Sequence, residues 1–151
     1  MAEQVYVALG SNLGDRESHL AYARARLAAL PRTRLARASR VEETASLGPV
    51  PQGPYLNQMV LLETELEPAE LLAHLHRIES ERGRVRRERW GPRTLDLDIV
   101  RHGDRVVRNQ ELTIPHPEVA NRDFWLREIA ELEVPAAPAA PAAPAPPERS
   151  S

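Results

Sequence analysis

Two aspartates lie two residues apart within residues 95–101, directly after a stretch that is rich in arginine. If this segment is a β-strand, Asp96 and Asp98 point to one face while Leu95, Leu97 and Ile99 point to the other. Their Cα atoms would then lie about 7 Å apart, and two carboxylates at that separation suit Mg²⁺. We therefore predict a shared magnesium site. The alternative is a half-exposed strand whose outer face happens to carry two aspartates.

The arginines lie between residues 77 and 93, and they are Arg77, Arg82, Arg84, Arg86, Arg87, Arg89 and Arg93. A helix end explains Arg77 and Arg82, because cations suit the last turn, but it does not explain the loop. One guanidinium group can bind two phosphate oxygens at once. Arginines beside a magnesium site therefore share with the metal the neutralisation of a polyphosphate. We predict phosphoryl-type transfer. Trp90 is either a packing residue or part of a loop that closes over a ligand.

Composition narrows the class of protein. The chain of 151 residues is long enough for one domain, and residues 135–147 are all proline or alanine. We predict a folded domain over residues 1–133 and a disordered tail over residues 134–151. The formal charge of -2 gives no support for binding to nucleic acid or to an anionic membrane.

Two residue types are missing from the sequence, and their absence excludes some chemistry. The chain has no cysteine and no lysine, so thiol nucleophiles, disulfides, Schiff bases and the lysine of a phosphate-binding loop are all excluded. No segment has the pattern of a signal peptide or a membrane span, and we predict a cytoplasmic protein.

Periodicity and turn residues predict the elements that position these groups. We expect strands at residues 4–10, within 33–44, at 55–64 and at 95–101. We expect helices after a cap at Asp15 and from Pro68 to a point before Gly83, and a short one over residues 124–132. Residues 106–107 are expected to pair back on the fourth strand. The order predicts an α+β ferredoxin-like βαββαβ sandwich, with an antiparallel four-stranded sheet and additional C-terminal elements.

Residues 89–100, RWGPRTLDLDIV, closely resemble the signature of the 6-hydroxymethyl-7,8-dihydropterin pyrophosphokinase family of folate biosynthesis. Four further segments are similar to that family: ALGSNLGDR (8–16), ETASLGPVPQGPYLNQ (43–58), RIESERGRVR (77–86) and LTIPHPEVANRDFWL (112–126). A long signature with ordered flanking motifs is a specific pattern. The fold of that family is also ferredoxin-like.

The resemblance implies that ATP donates its pyrophosphoryl group to the hydroxymethyl group of the pterin and that AMP is released. It implies two Mg²⁺ ions held by Asp96 and Asp98, a monomer, and a product that passes to dihydropteroate synthase. The implied catalytic residues are Arg84, Arg86, Arg93, Asp96 and Asp98. The implied ATP-binding residues are His76, Glu79, Arg84, Arg86, Trp90, Arg93, Ile99, Thr113, His116 and Arg122. The implied pterin-binding residues are Thr44, Ala45, Leu47, Tyr55, Asn57, Asp96 and Phe124.

Other interpretations stay open for single residues and for the whole chain. Tyr55 could be a strand-edge aromatic, Phe124 a core residue and Asn57 a turn residue. A ferredoxin-like RNA-binding module would use the arginine loop on phosphates, but the negative net charge and the paired aspartates oppose it. A nucleotide-sensing domain with a decayed site is opposed by the intact Asp96, Asp98 and Arg93.

Overall fold

The computed structural model describes residues 2–45, 54–82 and 94–133. The elements in chain order are β1 (Glu3–Ser11), α1 (Arg16–Ala28), β2 (Thr33–Ala38), β3 (Glu42–Thr44), β4 (Tyr55–Thr64), α2 (Pro68–Glu81), β5 (Asp96–His102), β6 (Val107–Arg108), β7 (Thr113–Ile114) and α3 (Asp123–Glu133). The fold is α+β, with an antiparallel sheet and three helices in this part of the chain.

The main sheet is antiparallel and has β1 near its centre. β1 pairs with β4 on one side and with β5 on the other, while β2 and β3 both pair with the far side of β4. The register places Gly10 between Asn57 and Asp96, and it places Ala8 between Met59 and Asp98. Two of the smallest side chains therefore lie beside the two aspartates.

Side-chain alternation gives the sheet two apolar faces. One face packs against α1 and α2, and this core includes Val7, Leu9, Leu97, Leu27 and Leu75. The other face carries Tyr6, Ala8, Met59, Leu61 and Val100 and packs against Trp125, Ile129 and Leu132 of α3. The sheet is consequently covered on both faces.

Both long helices follow local signals in the sequence. Asp15 accepts the backbone N–H of Ser18 at 3.1 Å and so caps α1, as predicted. α2 begins at Pro68, and the backbone N–H of Glu67 donates to the Glu70 carboxylate at 2.9 Å. Both predictions are confirmed, and so is the prediction of α3 over residues 124–132.

The predicted single strand within residues 33–44 is wrong, because two strands lie there, and in the described part of the chain the main sheet has five strands instead of four. Ser39 explains the interruption. Its backbone N–H donates to the Met59 carbonyl at 2.8 Å, and its hydroxyl accepts the Met59 N–H at 3.0 Å. Because a side-chain oxygen takes the place of a backbone acceptor, the regular ladder stops between β2 and β3.

The predicted pairing of residues 106–107 with the fourth strand is also wrong. β6 pairs with β7 in a separate two-stranded sheet, with Val107 opposite Ile114. Gly103, at φ 55°, allows the chain to turn directly after β5. Asn109 then accepts the backbone N–H groups of Glu111 and Leu112, each at 2.9 Å, and this favours the local hairpin.

Some predictions fall outside the described residues. These are the tail over residues 134–151 and the predicted site residues Leu47, Arg84, Arg86, Trp90 and Arg93. Within the described ranges, no helix is long and apolar enough to cross a membrane.

Candidate active site

A cavity of about 460 Å³ opens where the main sheet, α2, the β6–β7 hairpin and the start of α3 meet. The predicted site residues that lie in the described ranges all line it. They are Thr44, Ala45, Tyr55, Asn57, His76, Glu79, Asp96, Asp98, Ile99, Thr113, His116, Arg122 and Phe124. Residues that are up to 80 positions apart in the sequence are thus brought to one place.

Asp96 and Asp98 are both half-buried. Asp98 lies beside Ala8 of β1, which packs in the cluster with α3, so the two aspartates lie on the α3 face of the sheet. Leu95, Leu97 and Ile99 are buried in the core with α1 and α2. The predicted alternation along this strand is therefore confirmed. Because Gly10 and Ala8 are the β1 neighbours of the aspartates, little side-chain volume crowds the two carboxylates.

Glu79 of α2 fixes the strand between the two aspartates. It is 3% exposed, and its Oε2 accepts the backbone N–H of Leu97 at 2.7 Å. Among the described strands β5 pairs with β1 alone, so alternate N–H groups of β5 point away from the sheet and need another acceptor. α2 thereby holds the backbone that carries Asp96 and Asp98.

The imidazole of His116 lies beside Asp98, with its Nε2 3.9 Å from the Asp98 Oδ1. Its Nδ1 accepts the Glu118 backbone N–H at 3.0 Å, so the neutral ring carries its proton on Nε2. Burial and the nearby Arg122 lower the pKa of His116. The ring is therefore a neutral donor whose N–H points towards the aspartates.

The indole of Trp125 contacts two polar groups of the cavity, the imidazole of His116 and the guanidinium of Arg122. The His116 ring meets the indole edge-on, with centroids 4.9 Å apart and planes at 88°. The Arg122 guanidinium carbon lies 4.5 Å from the centroid of the same indole, which is within the range of a cation–π contact. One buried indole thus orients two hydrogen-bond donors, although the motif reasoning assigned no role to Trp125.

One part of the cavity is lined by an amide group and by aromatic rings. Asn57 is 6% exposed, and its Nδ2 donates to the Thr44 hydroxyl at 2.5 Å. A Cβ on Gly10 would lie 3.4 Å from Tyr55 Cδ1 and 3.5 Å from Asn57 Oδ1. The missing side chain at Gly10 therefore leaves the floor between these groups and Asp96 open. Phe124 lies on α3 and also lines the cavity.

The hairpin supplies residues that sequence reasoning missed, namely Asn109, Gln110, Glu111 and Leu112. Across the cavity from them, α2 contributes Leu72 and His76. An asparagine in a polar run is a turn signal, and it predicts the hairpin tip without predicting that the tip borders a cavity. The placement depends on how the hairpin packs on the rest of the molecule.

Asp96 and Asp98 are the candidate metal ligands of the cavity. Within residues 2–45, 54–82 and 94–133, no three His, Asp or Glu side chains form a group that could hold an ion. Asp96 and Asp98 supply two carboxylates. Mg²⁺ commonly binds through one or two carboxylates and takes its other ligands from water and substrate phosphates, so the pair fits a magnesium ion that binds with a nucleotide.

Comparison with known proteins identifies the family. Residues 6–134 match the model of the 7,8-dihydro-6-hydroxymethylpterin-pyrophosphokinase family. The chain belongs to this family.

Similar proteins named 2-amino-4-hydroxy-6-hydroxymethyldihydropteridine pyrophosphokinase occur in several bacteria. The protein of Haemophilus influenzae is 44% identical over 127 residues, which cover 84% of this chain and 79% of that protein. The protein of Bacillus subtilis is 42% identical, with coverage of 84% and 76%. That of Pseudomonas aeruginosa is 42% identical, with coverage of 87% and 82%. The resemblance predicted from the pyrophosphokinase signature is confirmed.

Proposed function

We propose that the cavity around Asp96 and Asp98 is the place where this chain carries out the reaction of its family. The enzyme is an ATP-dependent diphosphotransferase of folate biosynthesis, and it acts on 6-hydroxymethyl-7,8-dihydropterin. One observation carries the assignment to this cavity. The carboxylate pair on β5 lies across β1 from Tyr55 and Asn57 of β4, whereas α2 and the hairpin contact β5 itself, and all of these groups line one cavity.

The aromatic and amide end is the proposed pterin site. A pterin is flat and carries several N–H groups and ring nitrogens, so it needs stacking surfaces and a hydrogen-bonding edge. Tyr55 and Phe124 provide rings. Because Asn57 donates its amide N–H to Thr44, its Oδ1 is oriented as an acceptor beside Gly10. Thr44 thus fixes which edge of the amide faces the ligand.

The end between α2 and the hairpin is the proposed nucleotide site. Leu72, Leu112 and Ile99 supply apolar contacts for a base, while His76 and Thr113 supply polar groups at its edge. The phosphates of a nucleotide held here extend towards the aspartates. Arg122 and the Nε2–H of His116 then face the phosphate oxygens, and both groups are already oriented by Trp125.

Asp96 and Asp98 would hold the magnesium, and we propose two ions. When bound, Mg²⁺ neutralises phosphate oxygens and supplies charge stabilisation to the transferred group. Because the two carboxylates lie on one rigid strand whose backbone is held by Glu79, their separation is set before the substrates bind. Such preorganisation lowers the cost of assembling the charged site.

In the proposed reaction the hydroxymethyl oxygen of the pterin attacks the β-phosphorus of ATP. The new O–P bond forms, the bond from the β-phosphorus to the oxygen bridging to the α-phosphate breaks, and AMP leaves with that oxygen. The hydroxyl proton is released in the same step. The chain forms no covalent intermediate: it binds both substrates and stabilises developing negative charge through Arg122 and His116. Arg84, Arg86 and Arg93 stay predicted contributors to that stabilisation.

The strand order supports a ferredoxin-like arrangement. If β2 and β3 count as one interrupted strand, the main sheet and the two helices α1 and α2 follow the order βαββαβ. The hairpin and α3 are then the additional C-terminal elements. The monomeric state, the cytoplasmic location, the passage of product to dihydropteroate synthase and the disordered tail stay predictions.

The test uses the full chain with ATP, Mg²⁺ and 6-hydroxymethyl-7,8-dihydropterin, and it measures AMP and the diphosphorylated pterin. We expect the two products in equal amounts and no AMP when the pterin is left out. Asp98→Asn should abolish most of the turnover, while Asp104→Asn, the same change at an exposed turn, should not. AMP formation that is independent of the pterin would contradict the proposal.

A further inference from the structure

α3 buries a carboxyl group that the proposed reaction does not use. Glu128 is 1% exposed, and as a carboxylate its two oxygens find no hydrogen-bond donor in the described part of the chain. The group that reaches it is the carboxyl group of Glu42 on β3. A hydrogen bond between two carboxyl groups needs a proton on one of them, so the pair shares one proton.

The charges around the pair decide which partner holds that proton. Arg127 Nη2 lies 2.9 Å from the Glu42 Oε1 and stabilises Glu42 as the carboxylate. On the same side, Glu131 of α3 accepts the Arg40 backbone N–H at 3.1 Å. Burial, followed by the hydrogen bond with Glu42, raises the pKa of Glu128 to about 9. Although burial opposes it, hydrogen bonds with Glu128 and Arg127 lower the pKa of Glu42.

The pair lies beside the proposed pterin site and on the same two elements. Glu42 is directly opposite Asn57 in the β3–β4 ladder, and Thr44 follows two residues later on the same face of β3. On α3, Phe124 precedes Glu128 by four residues and so shares its face. The carboxyl pair therefore joins the face of β3 that carries Thr44 to the face of α3 that carries Phe124.

We propose that the proton shared by Glu42 and Glu128 holds α3 against β3. The shared proton thereby sets the width of the pterin slot, by which we mean the gap between Thr44 on β3 and Phe124 on α3. The inference rests on the proposed pterin site. Glu42 and Glu128 are positioning residues, since neither lines the cavity. When the proton is lost, the carboxylates of the buried Glu128 and the half-buried Glu42 repel each other, the slot widens, and the pterin binds more weakly. The base of the nucleotide is held by α2 and the hairpin, whereas Trp125 of α3 orients the phosphate-facing Arg122 and His116, so ATP binding weakens less than pterin binding.

The experiment compares the wild-type chain with Glu128→Gln and measures the KM for pterin and for ATP at several pH values. The Gln side chain has a similar size, and its amide donates to Glu42 at every pH. Between about pH 7 and about pH 10 we expect the wild-type pterin KM to rise about tenfold. In Glu128→Gln we expect the pterin KM to change less than about twofold, and in the wild type we expect the ATP KM to rise clearly less than the pterin KM. Glu133→Gln, the same change at an exposed residue of the same helix, should behave like the wild type.

A second variant keeps the test open if Glu128→Gln does not fold. Arg127 is exposed and bonds to Glu42. Arg127→Gln removes the cation that favours the state in which Glu42 and Glu128 are both carboxylates. The pair should then hold its proton more tightly, so the rise in pterin KM should move to higher pH. A movement to lower pH, or no movement, would contradict the inference.

The outcomes separate this inference from the proposed function. Equal pterin profiles for the wild type and Glu128→Gln, or a rise in ATP KM parallel to that in pterin KM, would overturn the inference while leaving the pterin site in place. Asn57→Ala tests the site itself. If that variant leaves the pterin KM at neutral pH unchanged, the proposed pterin site is wrong, and the inference fails with it.

Discussion

The Oε2 of Glu79 accepts the backbone N–H of Leu97 at 2.7 Å, in the residue that separates Asp96 from Asp98. A buried N–H that loses its only acceptor costs about 1–3 kcal/mol. We therefore expect Glu79→Ala to lower the free energy of unfolding by an amount in that range. The displaced strand should also raise the Mg²⁺ concentration needed for half-maximal activity. Denaturant unfolding and a Mg²⁺ titration of the turnover rate measure the two effects.

Matched variants test that relationship further. Glu79→Gln keeps a carbonyl oxygen as acceptor and should lie between the wild type and Glu79→Ala in both measurements. Ser80→Ala changes an exposed neighbour on the same helix and should change neither. A Glu79→Ala protein with the wild-type Mg²⁺ dependence would show that this carboxyl group does not position the aspartates.

Asp98 is expected to contribute to turnover and not to stability. Asp98→Asn removes a proposed metal ligand, and we expect the turnover number to fall on the order of 100-fold or more. The same change removes one of two like charges on β5, so the free energy of unfolding should stay equal or rise. Turnover at saturating Mg²⁺ and ATP, together with denaturant unfolding, measures both. Near-wild-type turnover would remove Asp98 from the site.

Glu128 should make the stability of the protein depend on pH. Its pKa is raised from 4.5 to about 9, so between these values the folded chain keeps a proton that the unfolded chain has lost. The stabilisation is complete below the lower value and is lost as the pH rises towards the upper one. We expect the free energy of unfolding to fall by up to about 1.4 kcal/mol per pH unit in this window. Urea unfolding of the wild type and of Glu128→Gln is measured at a series of pH values, and the difference between the two free energies of unfolding should follow this slope, because the other titrating groups are the same in both proteins.

Gly10 should matter for the pterin and not for the nucleotide. An added Cβ would lie in contact with Tyr55 and Asn57, and it would fill the floor of the proposed pterin slot. The methyl group would take space that the pterin needs, and a loss of about 1.4 kcal/mol in binding corresponds to about a tenfold weaker affinity, so we expect Gly10→Ala to raise the pterin KM about tenfold. The ATP KM of the same protein is the internal control. An equal rise in both constants would indicate a general distortion of the sheet instead of a filled slot.

Local patterns were sufficient for the elements that carry the site. Alternation placed Asp96 and Asp98 on one face of a strand, and capping residues placed the starts of α1 and α2, because these signals act over a few residues. The break between β2 and β3 was not predictable in the same way. It depends on Ser39 bonding to Met59, twenty residues away. The pairing of β6 with β7 in a separate sheet likewise had to be read from the structure.

By itself the sequence determined the family, the paired aspartates, the arginine-rich segment and the residue types expected to meet the two substrates. Motif spacing carries that information because the chemistry requires those groups in a set order. Only the tertiary structure decided that Glu79 bonds to the strand between the aspartates, that Trp125 orients Arg122 and His116, and that Glu128 is buried against Glu42. Each of these is a contact between distant segments, and burial, which sets the charge state of Glu128, exists only once the chain has packed.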